Sequence, residues 1–134
     1  MLKRFKDAGY ITSVGPYYGG TWSDYVNLNL ENADYVFCQF YAKNLQTVAS
    51  VEQDLKDAAA DLGGWDKLIA GFNSNGRNPN PSVALQAVDN LRDDLKGTFT
   101  WAAEHSKTNN PAYCIEKNSK KILVDKQSPG ACSW

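Results

Sequence analysis

The chain has 134 residues, 43% hydrophobic and 12% aromatic, enough for one folded domain with its own core. Fourteen Lys and Arg against fifteen Asp and Glu leave a net charge of −1, which gives no electrostatic case for nucleic acid or an anionic membrane. No apolar run approaches the ~20 residues that span a bilayer, and the basic start Met1-Leu2-Lys3-Arg4-Phe5-Lys6 lacks the apolar stretch and cleavage site of a signal peptide.

Residues 2–8 read as the tail of a helix that feeds a first strand at Tyr10–Val14. Thr21 with Asp24 then opens a short helix carrying Trp22, Tyr25 and Val26. The second strand-like run is Tyr35–Tyr41, rich in β-branched and aromatic residues. Ser50 with Gln53 has the spacing of a capping box. Val51, Leu55, Ala58 and Leu62 repeat on one face behind it, and Gly63-Gly64 ends that helix. Lys67–Phe72 is the third strand. Asn80 is a good N-cap with Pro81 at the first helical position, and Ala84, Val88, Leu91 and Leu95 lead to a stop at Gly97. Thr98–Trp101 is the fourth strand. Asn110-Pro111 opens a last helix through Ile115, Ser119 and Ile122, with Lys117, Lys120 and Lys121 toward the end that the helix dipole favours. Residues 127–134 read as loop. The division expected is therefore a β/α domain over 1–124 and a C-terminal loop tail over 125–134.

The strand centres lie about 25–32 residues apart, room for a crossover helix but not for a hairpin. Regular alternation predicts an α/β fold with a parallel sheet and right-handed crossovers. Two architectures share this order. One is a small open doubly wound sheet. The other is four parallel β/α units corresponding to half of a (β/α)8 TIM barrel, since a full barrel takes ~250 residues. The half barrel exposes two strand edges, which proteins avoid.

Few motifs carry chemistry. Gly71 and Gly76 have the spacing of a phosphate loop, but Arg77-Asn78 replaces the Lys-Ser/Thr pair, so a plain loop is the better reading. Glu104-His105 after the fourth strand could act as an acid/base couple, yet no recognisable nucleophile accompanies it, and a solvated loop is the simpler account. A lone His105 cannot complete a usual zinc set, and no cofactor or metal is expected. Cys38, Cys114 and Cys132 allow at most one disulfide and leave an odd thiol. In the second strand, Phe37, Gln39 and Tyr41 share one face while Val36, Cys38 and Phe40 share the other. The fully apolar set suits a helix layer. The set with Gln39 and Tyr41 suits a barrel interior or mouth, or else a core glutamine satisfied by backbone. Trp101 at a strand end is either core packing or a flat platform for a sugar ring.

Together these residues resemble the C-terminal half of a family 18 glycoside hydrolase, closest to plant class III chitinases and narbonin-like relatives. Thr12-Ser13-Val14-Gly15-Pro16 resembles that family's fifth strand. Asp34–Tyr41, with its Gln-x-Tyr, resembles the sixth, Lys67–Phe72 the seventh, and Gly97–Trp101, ending in tryptophan, the eighth. The likeness covers roughly residues 8–124. It implies that Tyr41 holds the substrate's N-acetyl group, that Gln39 lines the same subsite and that Trp101 forms its floor, with Asn73 and Tyr17 nearby. The family protonates the glycosidic oxygen with a glutamic acid that closes a D-x-x-D-x-D-x-E motif, and the substrate's N-acetyl group then attacks. That motif is absent here; Asp54, Asp57 and Asp61 fall on a helix. No catalytic residue is therefore assigned. The resemblance implies an extracellular or vacuolar protein, a chitin-type oligosaccharide as ligand, and a companion chain or second copy that completes the barrel. Three functions compete: a separate half of a chitinase, a non-catalytic storage or lectin-like protein of the same fold, and an unrelated small α/β binding domain.

Overall fold

In the computed structural model of the chain, residues 1–19, 22–74, 79–109 and 111–132 are described, without the side chains of residues 27–30 and 42. Thr21, the loop residues Asn75, Gly76, Arg77 and Asn78, Asn110, and the terminal Ser133 and Trp134 lie outside them, so the phosphate-like loop and the Thr21 and Asn110 helix starts are not described. The elements run α1 (Leu2–Asp7), β1 (Ser13–Val14), α2 (Trp22–Asn29), β2 (Tyr35–Gln39), α3 (Val48–Asp61), β3 (Leu68–Asn73), α4 (Pro81–Asn90), β4 (Gly97–Trp101), α5 (Ala103–Lys107) and α6 (Cys114–Leu123). No helix among the described residues is long and apolar enough to cross a membrane.

The four strands form one parallel sheet in the order β1-β2-β3-β4. Parallel pairing puts residues of equal parity on the same face. Val36 lies beside Leu68, Cys38 beside Ala70, Ala70 beside Thr98, and Phe72 beside Thr100. Val36, Cys38, Leu68, Ala70 and Phe72 are buried in one cluster with Val51, Leu55 and Ala58 of α3, Ala84, Leu85 and Val88 of α4, and Ile115 and Ile122 of α6. Tyr35, Phe37, Ile69, Phe99 and Trp101, on the opposite face, stay outside that cluster. The helices therefore pack on one face only. An open doubly wound sheet would have covered both, so the architecture is four β/α units of the half-barrel type.

Several boundaries differ from the sequence reading, each for a local reason. The first strand is not 10–14 but Ser13–Val14. Thr12 instead turns to Asp34: its amide and hydroxyl donate to Asp34 Oδ2 at 2.8 and 3.0 Å, and its hydroxyl also reaches the Asn32 carbonyl oxygen at 2.6 Å. The second strand stops at Gln39, because Phe40–Ala42 winds into a 3-10 turn. The capping box of α3 begins at Thr47, not Ser50: Thr47 Oγ1 accepts the Ser50 amide at 3.1 Å and Ser50 Oγ accepts the Thr47 amide at 3.2 Å. Asn80 and Pro81 open α4 as expected, with Asn80 Oδ1 accepting the Ser82 amide at 2.9 Å. That helix ends at Asn90, however, and Gly97 belongs to β4. The last helix starts at Cys114, behind Tyr113 in the left-handed conformation (φ 57°), and Pro111 lies before it.

Cys114 and Cys132 are disulfide-bonded, and Cys38 is the buried free thiol. The bridge ties the chain after α6 back to the start of that helix. Asn118 seals the same joint, accepting the Gly130 amide at 2.6 Å and donating to the Cys114 carbonyl oxygen at 3.0 Å. Burial pushes the Cys38 thiol well above its ordinary range, with Asp54 adding to the shift, so it is held as an inert, protonated core residue.

The Asp34 contacts have a testable consequence. The Thr12 backbone bond, then Lys6, whose Nζ lies 3.0 Å from Asp34 Oδ1, hold this carboxyl at about 2, against an ordinary 3.8. A depressed folded-state value stabilises the fold above pH 3.8 and loses that contribution as pH falls toward 2. Urea midpoints should therefore fall more steeply between those values in the wild type than in Asp34→Asn. The two proteins should respond alike to acid below that window.

Candidate functional site

The C-terminal ends of parallel strands in β/α folds gather the connecting loops and their polar groups. Here that end is organised around Gln39, the last residue of β2. Its amide nitrogen donates to the Gly15 carbonyl oxygen, and the Tyr41 hydroxyl donates to its amide oxygen. A carbonyl oxygen can only accept, so the Gly15 contact fixes which end of the amide faces which partner. Tyr41 must then be the donor. The backbone of Gln39 is clamped as well, since its amide donates to Pro16 O at 2.9 Å and its carbonyl oxygen accepts the Tyr18 amide at 3.1 Å. These bonds carry the pairing of β1 and β2 past their regular ends, to a bridge between Tyr17 and Gln39.

Tyr17 packs edge-on against Tyr41, with ring centroids 5.7 Å apart and planes at 87°. Tyr17 is 54% exposed. Burial, together with Tyr17, pushes the Tyr41 hydroxyl up to about 12, so it is neutral and protonated at any physiological pH. Tyr41 leaves the strand for the 3-10 turn, yet its hydroxyl still reaches Gln39. Gln39 and Tyr41 are thus joined by a hydrogen bond although Tyr41 is not a strand residue.

Asn73 and Trp101 end β3 and β4 side by side in register. Trp101 is 57% exposed, and its peptide bond to Ala102 is cis. It presents a ring to solvent rather than packing in the core. The chain leaving it is fastened from below by Ser74, whose amide donates to Trp101 O at 2.8 Å and whose hydroxyl donates to Ala102 O at 2.8 Å. Asn109 Nδ2 completes the fastening by donating to Ser74 O at 3.2 Å. Ser74 and Asn109 are buried positioning residues that sequence reading missed. A lone Ser or Asn in a loop carries no signal until its backbone partners are known.

Behind the strand ends, Phe37 and Phe99 meet edge-on across Gly71, with centroids 5.6 Å apart. A Cβ on Gly71 would overlap the Phe99 ring, so glycine is what lets the two aromatic rings meet over β3. Glu104 and His105 lie on α5, not in a loop, with Glu104 Oε1 3.9 Å from His105 Nε2. His105 Nδ1 is sealed from solvent without a hydrogen-bond partner. Tyr18 belongs to the helix side instead: it is buried against Trp22 and Phe40 beneath the Lys43 ammonium. The acidic residues of α3 are engaged there too. Asp54 pairs with Lys43 at 2.6 Å, Asp57 accepts Gln53 Nε2 at 2.7 Å, and Asp61 accepts Trp22 Nε1 at 2.7 Å.

No family model matches the sequence, and no curated protein matches it. Solved structures do. The catalytic domain of a family GH18 chitinase from the fern Peteris ryukyuensis matches with a TM-score of 0.80 at 25% identity, over 92% of this chain and 48% of that one. The chain has the fold of half a GH18 chitinase catalytic domain. A family 18 chitinase from Crocus vernus matches with a TM-score of 0.69 at 21% identity, over 92% of this chain and 47% of that one. The chain thus spans about half the length of both solved chitinases. In this GH18-type half barrel, the uncovered sheet face is the side that a closed barrel turns inward.

The rings over Gly71 offer a direct check on that face. Gly71→Ala should destabilise the fold by about 1–3 kcal/mol, the usual cost of overpacking. It should also shift the aromatic side-chain resonances of Phe37 and Phe99. Unchanged stability and unchanged ring resonances would show that the rings do not meet there.

Proposed function

We propose that this chain is the substrate-binding, C-terminal half of a family 18 chitinase-like barrel and binds N-acetylglucosamine-type oligosaccharides without hydrolysing them on its own. The supporting observation is the Gln39–Tyr41–Tyr17 cluster at the end of β2, with a half-exposed Trp101 at the end of β4 across β3. The two solved structures that share this fold are chitinases. A solvent-facing tryptophan suits the CH face of a sugar ring. With its proton committed to Gln39, the Tyr41 hydroxyl keeps lone pairs for an N–H donor, which an acetamido sugar has and a plain hexose lacks. Asn73 adds a neutral polar group beside Trp101.

The lack of hydrolysis follows from chemistry. Cleavage begins with proton donation to a poor leaving group. Asp54, Asp57 and Asp61 are engaged on the helix layer, and Glu104 is largely exposed on α5. None matches the strand-end acid of the resembled family. A closed barrel, completed by a companion chain or a second copy, would bring that acid from elsewhere. The second reading, a storage or lectin-like protein of the same fold, is favoured by the same missing acid and differs in needing no companion.

Calorimetric titration with chitotetraose tests the binding. Trp101→Ala should weaken it by about 1–3 kcal/mol, the scale of a lost aromatic contact. Tyr41→Phe should weaken chitotetraose more than cellotetraose, since only the former offers an amide. Saturable binding equal in wild type and Trp101→Ala would move the site elsewhere. No saturable heat with the assembled protein would leave the storage reading. Release of shorter sugars by the homogeneous chain would refute its inactivity.

A further inference from the structure

Tyr41 stands outside the sheet ladder, in the 3-10 turn Phe40–Ala42, to which Gln39 gives no side-chain cap. Its hydroxyl reaches Gln39 and its ring meets Tyr17, both at the strand ends. A cluster in the helix layer holds the same turn from behind. Phe40, immediately before Tyr41, is fully buried, with its ring 5.0 Å from Tyr18 and 6.2 Å from Phe72. Lys43, just past the turn, is extended and places its Nζ 2.6 Å from Asp54 Oδ2 on α3. The same ammonium lies 4.8 Å above the centre of the Tyr18 ring. Tyr18 packs in turn on Trp22, whose indole N–H donates to Asp61 Oδ2 of α3 at 2.7 Å.

We propose that the Lys43–Asp54 pair, seated on the Tyr18 ring, is a latch that positions Tyr41 and thereby sets the selectivity of the strand-end site for an acetamido group. The selectivity rests on the sugar reading above; the placement of Tyr41 does not.

An ion pair in open solvent contributes little and fixes nothing. The Asp54 side chain is only 12% exposed, so it draws Lys43 to a defined point in surroundings where charges attract more strongly than in water. Between the buried Phe40 ring and the anchored Lys43 ammonium only Tyr41 and Ala42 remain, and fixing both neighbours fixes the direction of the turn. The ring beneath Lys43 belongs to the residue whose amide donates to the Gln39 carbonyl oxygen at 3.1 Å. One cluster therefore bears on both partners of the Gln39–Tyr41 hydrogen bond, on Gln39 through Tyr18 and on Tyr41 through Lys43. Without the latch the turn swings and the Tyr41 hydroxyl leaves Gln39. Its proton is then no longer committed, and the preference for an N–H donor goes with it.

The test separates placement from stability. Lys43→Met alone strands the Asp54 charge and weakens the fold. The decisive variant is Lys43→Met/Asp54→Leu, because replacing both members of a buried pair with apolar groups is often neutral for stability. In isotope-labelled protein, the nuclear Overhauser effect between the Tyr17 and Tyr41 rings reports the placement. It should be present in the wild type, largely lost in the double variant at an unchanged urea midpoint, and retained in Lys43→Arg, which keeps the pair. Asp54→Asn, of nearly equal volume, should weaken it in the same direction and gives the reading if the double variant does not fold. Chitotetraose affinity should fall by about tenfold in the double variant, with a smaller change for cellotetraose. A folded double variant with the full ring contact would show that the pair serves stability alone and overturn the proposal. So would a Lys43→Arg protein that loses the contact as the double variant does. If the wild type binds no chitotetraose, the sugar reading fails by itself, and the ring contact still decides whether the latch exists.

Discussion

The parity of a parallel sheet governs both the core and the site. Once Val36 pairs with Leu68 and Ala70 with Thr98, every residue's face is settled. The helix-facing set is Val36, Cys38, Leu68, Ala70 and Phe72, which are buried, with Thr98 and Thr100 of β4, which are half-buried. The opposite set is Tyr35, Phe37, Gln39, Ile69, Gly71, Asn73, Phe99 and Trp101, which mixes aromatic rings with neutral polar groups. A slip of one residue would put Gln39 into the helix layer and Cys38 onto the open face. Hydrophobic burial under α3 and α4 therefore fixes the register, and the register aims the site residues without any contact of their own having to do so.

What the register aims, hydrogen bonds then lock. A strand-end glutamine free to rotate could present either end of its amide. Gly15 O removes that freedom, and Tyr41 is oriented through it. At the other end of the sheet, buried Ser74 satisfies two carbonyl oxygens where β4 turns away, and Asn109 satisfies Ser74 in turn. Each buried polar group of this kind would cost about 1–3 kcal/mol if left unpaired. Its pairing holds Trp101 at the mouth more firmly than an exposed loop would.

The strands and their order were legible because apolar runs with β-branched and aromatic residues survive any local adjustment. The two-faced reading of Val36–Tyr41 was legible for the same reason: period two is a property of the strand itself. Ends were less legible. Thr12 reads as a strand residue by type, yet Asp34, 22 positions away, takes its amide and hydroxyl, and no local pattern announces such a partner. Ser50 reads as an N-cap, but Thr47 three residues earlier forms the reciprocal pair with it, and both spacings look alike in sequence. Gly97 reads as a helix stop. It is instead a strand residue whose missing side chain leaves room beside Ile69. Ser74, Asn109 and Glu116 act through backbone atoms or residues distant in sequence, and so no motif marks them.

The distribution of carboxylates separates binding from chemistry in the proposed reading. A general acid must sit where the bond breaks and keep its proton until the transition state, which calls for a poorly solvated carboxyl among the site residues. Asp54, Asp57 and Asp61 lie along α3, behind the sheet, and each is engaged by Lys43, Gln53 or Trp22. Asp34 sits before β2, at the opposite end from Gln39, and is held ionised by Thr12 and Lys6. Glu116 is committed to Thr100 and Ser106 below the sheet's last strand. Glu104 is at the right end but 81% exposed, out in solvent rather than enclosed among the site residues. On the proposed reading, the strand-end face recognises a neutral, amide-bearing sugar and leaves protonation of its glycosidic oxygen to a group outside it.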